Sequence, residues 1–211
     1  MTVEVSLAHP AYREYGAVSA FAKGVYLRRL DSVTAAQPEV FVYAQIGRVI
    51  VGCIGLYRAD RREQLLIERF LPDALTKVLG SESSDRTGLA ELGTRAIDLP
   101  EGSDYSSIDI SIALLAVLIP FAYETGIRHL AFISNPLALR LGRALGFAVE
   151  SLGDPDVSRE PEEFKRNMKG FLSAKQTCFS ARIGSVNGCT QALTVLARKN
   201  IFESDRFRRA A

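Results

Sequence analysis

Residues 89–134 read LAELGTRAIDLPEGSDYSSIDISIALLAVLIPFAYETGIRHLAFIS, and the alternation of extended and helical runs in this stretch decides the fold. Residues 88–98 predict a central strand that closes at Pro100, with Glu91 and Gly93 on alternate positions from Leu89. Residues 99–104 form a polar loop, and residues 105–125 predict a long helix stopped by Gly126. That helix is apolar almost all round, so it is buried. Residues 129–134, HLAFIS, are an apolar strand.

Working outward, Asn135 caps a predicted helix over 136–145 that Gly146 stops, and 147–152 is another strand. A charged insertion, 153–174, holds a predicted helix over 161–172 before a last strand at 177–183. Toward the N-terminus, Val3, Val5 and Leu7 alternate as a strand ended by His9 and Pro10, and a helix follows over 12–29. Residues 40–45 and 48–57 are two β runs joined tightly at Ile46 and Gly47, which predicts a hairpin. Residues 64–67 read as extended, and Pro72 opens a short helix ending at Gly80. The class is α/β (α+β): a mixed sheet of about seven strands with helices on both faces. The expected domain is 1–184, followed by a basic helix and tail over 185–211.

The 211 residues suffice for one domain with its own core, and 47% hydrophobic with 24% charged residues excludes a disordered chain or a coiled coil. Cys53, Cys178 and Cys189 are odd in number and contain no CxxC pair, so no disulfide framework or zinc knuckle is implied and a reducing cytoplasm is expected. No metal is implied. The longest apolar run, 110–122, falls short of the roughly 20 residues a bilayer span needs, so no transmembrane segment is expected. The net charge is +2, yet from Glu160 to Ala211 ten Lys or Arg face five Asp or Glu, which suggests an acidic partner or a solvated basic tail. Nucleic acid is not expected, because no aromatic-interleaved basic patch or recognition motif is present.

The element order resembles that of the GNAT acyltransferase fold. NPLALRLGRALGF, residues 135–147, resembles the GNAT segment in which an Asn at a strand end precedes a helix ending in Gly-Phe. ERFLPDALTKVLG (68–80), LAELGTRAIDLPEG (89–102) and HLAFIS (129–134) together look like the thermostable-hemolysin-like family. They are similar, more loosely, to acyl-homoserine-lactone synthases and long-chain N-acyl amino acid synthases, which place a Glu in the same central strand. The resemblance covers residues 26–154. It implies an N-acyltransferase that moves a medium or long acyl group to a small amine such as an amino acid, by direct attack on a thioester.

Two departures bear on the acyl donor. Acetyl-CoA-using GNAT enzymes wrap the CoA pyrophosphate with small residues between the central strand and the long helix. Here AIDLPEGSDYSS carries one glycine and three acids, leaving Ser103, Ser106 and Ser107 to hold one phosphate. The tyrosine that protonates the leaving thiolate in those enzymes is replaced by Gly142. Both absences resemble the relatives that use acyl carrier protein, so the expected co-substrate is acyl-phosphopantetheine on an acidic acyl carrier protein (ACP), or acyl-CoA, with no permanently bound cofactor. Arg140, Arg143 and Asn135 are then donor contacts. A CoA-dependent acetyltransferase with a degenerate loop and a non-catalytic, protein- or membrane-binding module remain alternatives.

Glu91 is the candidate general base, since a carboxylate in a central strand is costly unless it is paired or faces a ligand. Its structural alternative is an ion pair with Arg95. Arg95 is a candidate clamp for a carboxylate or phosphate, against pairing with Asp98. Gly93 is expected to mark a bulge, which the GNAT resemblance implies frees backbone N–H groups for a thioester carbonyl, against close packing of the long helix on the sheet. Glu68 and Arg69 are candidates for the substrate mouth, against a polar helix cap. Leu115 and Phe132 are expected to flank the acyl chain, with Ala131 nearby, against ordinary core packing of the same residues. His129 is expected to be structural, and Cys178 and Cys189 lack the neighbours that would activate a nucleophile.

Overall fold

The structure, a computed structural model, describes residues 2–35, 37–80, 85–136, 139, 142 and 147–183. The strands are β1 (Val3–Ala8), β2 (Val40–Ile46), β3 (Val49–Arg58), β4 (Leu89–Ile97), β5 (His129–Ser134), β6 (Ala148–Gly153) and β7 (Thr177–Arg182). They form one sheet in the order β1-β2-β3-β4-β5-β7-β6. β4 and β5 run parallel and the other neighbours run antiparallel, so the sheet is mixed as expected.

Helix α4 (Ser107–Glu124) lies across β1, β2 and β3 on one face. Its buried Ile110, Leu114 and Leu118 join Val42, Leu56, Ala90 and Leu130 in the largest core cluster. By length and mean hydropathy, 1.7, α4 could cross a membrane, yet most of it is buried in this core. Helix α1 (Arg13–Leu30) covers the other face over β2, β3 and β4, packing Val18, Ala22 and Tyr26 on Phe41, Tyr43 and Cys53. The short helices α2 (Leu66–Phe70) and α3 (Ala74–Leu79) continue that layer over β5, where Ile67 and Phe70 meet Leu89, Ala131 and Cys178.

Two expectations are corrected. Residues 64–67 are not extended, because a Glu68 carboxylate oxygen accepts the Leu65 N–H at 2.7 Å and closes a helical turn from Leu66. The helix expected over 161–172 is two pieces, α5 (Glu162–Asn167) and α6 (Lys169–Ser173), broken at Met168. The break seats Gly170 on the C-terminal end of α1, where a Cβ at position 170 would lie 1.7 Å from the Leu30 carbonyl oxygen. Most of the expected helix over 136–145, including Arg140 and Arg143, and the tail with Cys189 lie outside the described residues.

Candidate active site

The site is organised by an irregularity in β4. Against β3, Gly93 pairs with Gly55 and Ala96 with Cys53, so Thr94 and Arg95 together face the single residue Ile54. Thr94 adopts φ 49°, a left-handed conformation that a β-branched residue rarely takes, and two residues opposing one is a β-bulge. The bulge thus follows Gly93 rather than centring on it. β4 pairs with β5 only from Leu89↔His129 to Leu92↔Phe132, so the two strands part where the bulge begins.

Glu91 stands three residues before Thr94, where the bulge begins. Its side chain is buried beneath α2, where it accepts the Ile67 N–H at 3.2 Å. Burial raises its pKa from 4.5 to about 7, the Ile67 and Leu66 N–H groups pull it down, and the Glu68 carboxylate pushes it up. Among the described residues no ion pair to Arg95 forms. The bulge turns Arg95 to the opposite face, where Nη2 donates to Ser111 Oγ on α4 at 2.7 Å. Asp98 is taken instead by Arg28 at 2.8 Å and Arg29 at 2.6 Å from the end of α1.

Across the β3–β4 ladder Glu91 is directly opposite Tyr57. The Tyr57 hydroxyl and Thr94 Oγ1 share a short hydrogen bond, and burial raises the phenol pKa to about 12. The Arg62 guanidinium lies 4.7 Å from the Tyr57 ring centre while its Nε donates to Glu39 at 3.0 Å. Residue-by-residue reading passed over Tyr57, Arg62 and Thr94. The alternation of β3 was the signal available for Tyr57, since cross-strand partners share a face.

Glu68 and Arg69 are engaged within the protein. Glu68 takes Arg86 Nη1 at 3.1 Å and Nη2 at 2.8 Å besides capping α2. Arg69 grips both Glu160 carboxylate oxygens and stacks on Phe164, tying α2 to the insertion. Both residues also line a cleft of about 510 Å³ with Gln64, Pro72, Arg159, Glu160 and Pro161.

At the start of α4, Ser106 and Asp109 bond reciprocally: Asp109 N–H donates to Ser106 Oγ at 3.2 Å, and Ser106 N–H and Oγ donate to an Asp109 carboxylate oxygen at 2.9 and 2.7 Å. A carboxylate thus stands at the helix end where a phosphate would sit, and Ser106 is committed to the cap. Ser103 Oγ accepts the Tyr105 N–H at 3.2 Å, and Ser107 is exposed. Asn135 is exposed at the end of β5. Leu115 and Phe132 pack on the α4 side of the sheet, with Phe132 centred 5.5 Å from Phe179, whereas Ala131 points to the α2 side. Ala131 therefore does not line the space beneath α4. Burial raises the Cys53 and Cys178 thiols to about 12 and lowers the pKa of His129.

No family model matches the sequence, and no curated protein does either. Solved structures do. The acyl-homoserine-lactone synthase LasI superposes with a TM-score of 0.60 at 12% identity, over 88% of this chain and 92% of its own. The CoA-dependent acyl-homoserine lactone synthase BjaI, solved with SAM and isopentyl-CoA, gives 0.62 at 17% over 95% and 91%. FeeM, an N-acyl amino acid synthase from uncultured soil microbes, gives 0.59 at 15% over 88% and 94%. The fold is GNAT-like. Within this GNAT-like frame, the parting of β4 from β5 and the bulged segment 93–96 stand immediately beyond Glu91.

Proposed function

We propose that the chain is an N-acyltransferase that moves a medium or long acyl group from acyl carrier protein, or from acyl-CoA, to a small amine such as an amino acid. The observation that carries this reading is Glu91. It is a buried carboxylate with a pKa near 7, two residues before the strands part. A base must be largely unprotonated at working pH yet basic enough to take an ammonium or amine proton, and a pKa near neutrality serves both needs. The amine attacks the thioester carbon directly, Glu91 removes its proton directly or through water, the C–S bond breaks with its electron pair going to sulfur, and the phosphopantetheine thiolate takes a proton from solvent or from protonated Glu91 through water. The names of the structural neighbours, acyl-homoserine-lactone synthases and an N-acyl amino acid synthase, support acyl transfer to an amine.

The carrier-protein donor is supported by the cap on α4. Asp109 and the acids of the preceding loop disfavour the doubly charged pyrophosphate of CoA there more than the single phosphate of a phosphopantetheine arm, for which Ser103 and Ser107 are the proposed contacts. Arg140 and Arg143, with the basic C-terminal region, are the proposed contacts for an acidic carrier protein.

A second reading, a non-catalytic GNAT-like module that binds a protein or a membrane, is favoured by one observation: only 4% of Glu91 is exposed, under α2. Acyl-ACP and acyl-CoA donors from acetyl to palmitoyl, incubated with a mixture of amino acids and amines and followed by mass spectrometry, separate the two. A new N-acyl product that Glu91→Gln fails to make supports the enzyme, and no product from any donor leaves the binding module.

A further inference from the structure

We infer that Tyr57 is a positioning residue, which holds the β4 bulge in its working shape through the Thr94 side chain. This rests on the acyltransferase reading of Glu91. Thr94 occupies left-handed backbone, which for a β-branched side chain is unfavourable unless its surroundings enforce it. Two contacts enforce it here. The Tyr57 hydroxyl shares a hydrogen bond with Thr94 Oγ1, and the Cys53 thiol reaches the Thr94 carbonyl oxygen at 3.7 Å.

The phenol is itself built into place. Gly55 and Gly93, paired across the ladder, form the floor under its ring: a Cβ on Gly93 would lie 3.0 Å from the ring edge, and one on Gly55 3.2 Å from it. A side chain at Gly93 would press the ring away by a few tenths of an ångström, and one at Gly55 would meet Pro38 at 2.9 Å as well as the ring, so both glycines favour the close approach of the phenol. The Arg62 guanidinium covers the ring from α2's approach segment. Because the phenol pKa is raised to about 12, the hydroxyl stays protonated and keeps its hydrogen bond across the physiological range.

The bulge has two consequences for the reaction. It ends the pairing of β4 with β5 beyond Leu92, and it sends Arg95 to the α4 face while Glu91 stays on the α2 face. A thioester carbonyl lying along the parted strand would meet the N–H groups of the bulged segment, whose direction the Tyr57 contact sets. Removing the hydroxyl therefore lets Thr94 relax toward ordinary extended backbone and misaligns those groups.

The test uses the full chain with three variants: Tyr57→Phe and Thr94→Val, each of which removes one end of the hydrogen bond at constant shape, and Tyr57→Phe combined with Thr94→Gly. Glycine adopts left-handed backbone without help, so the double variant needs no hydroxyl. Amide hydrogen exchange over residues 93–96 is measured beside kcat and KM for acyl transfer. Tyr57→Phe and Thr94→Val should each speed exchange there and lower kcat about tenfold with little change in KM for the amine, the scale of one lost buried hydrogen bond. The double variant should restore both. Unchanged exchange in Tyr57→Phe, or a loss of kcat that Thr94→Gly fails to restore, overturns the inference. If the unmodified protein transfers no acyl group, the acyltransferase reading fails on its own, and exchange still decides whether Tyr57 holds the bulge.

Discussion

Glu91 and Arg95 are four residues apart on one strand and face opposite sides of the sheet. In an unbroken strand, residues four apart share a face. The bulge at Thr94 and Arg95 inserts one residue and reverses everything after it. Glu91 and Arg95 are thereby divided between the α2 layer and the α4 layer, and the ion pair between them is removed by geometry.

Replacing Glu91 with Gln keeps the size and the acceptor for the Ile67 N–H while removing the base. Transfer is expected to fall about 10²- to 10⁴-fold with the fold retained. Steady-state kinetics alongside circular dichroism check this, and an unaltered rate in a folded variant would remove Glu91 from the reaction.

The raised pKa of Glu91 also makes stability pH-dependent. Its folded value, about 7, lies above the ordinary 4.5, so burying the protonated acid is favourable relative to burying the carboxylate. The contribution is complete below about pH 4.5, is lost as pH rises through 7, and amounts to about 3 kcal/mol across that window. Glu91→Gln should therefore be more stable than the unmodified protein at pH 8 and lose that advantage at pH 4.5. Urea unfolding at the two pH values measures the difference. Transfer by the unmodified protein should rise with pH and level off above about 7.

Carrier protein should be preferred over CoA as donor. Acidic carriers paired with a basic rim associate faster at low salt, and the advantage should fade as the screening length shortens. Kinetics with acyl-ACP and acyl-CoA across a salt series decide the point, equal use of both without a salt effect being the contrary result.

Gly170 should not tolerate a side chain. Alanine there would drive a Cβ into the Leu30 carbonyl, forcing α6 off the end of α1. A loss of about 2 kcal/mol is expected. A melting curve for Gly170→Ala checks it, and an unshifted midpoint would mean that the insertion does not dock as described.

An acyl chain seated beneath α4 should be read by Leu115 and Phe132, not by Ala131. Each buried methylene contributes about 0.8 kcal/mol, so long donors should outcompete acetyl. Leu115→Trp should shorten the preferred chain. Ala131→Phe should destabilise the packing around Phe70 without changing chain preference. Rates over a donor series show which holds, and a preference for acetyl in the unmodified protein means there is no long pocket.

The order of the strands from β1 to β5, the helices α1, α3 and α4, the hairpin between β2 and β3, the burial of α4 and the presence of a carboxylate in a central strand follow from the sequence, because period and turn residues act between chain neighbours, whereas α2 does not. The partners of those side chains do not follow from it. Arg69 meets Glu160 across 91 residues, and Asp98 meets Arg28 and Arg29 about 70 residues earlier, so both choices wait for the layers to pack. The facing of Arg95 depends on a single inserted residue, and the left-handed Thr94 is held by a tyrosine from another strand. Local pattern sets which elements form and which positions are apolar. Only their packing into a sheet with a bulge decides that Glu91 is buried against α2, with a pKa near neutrality, where the strands part.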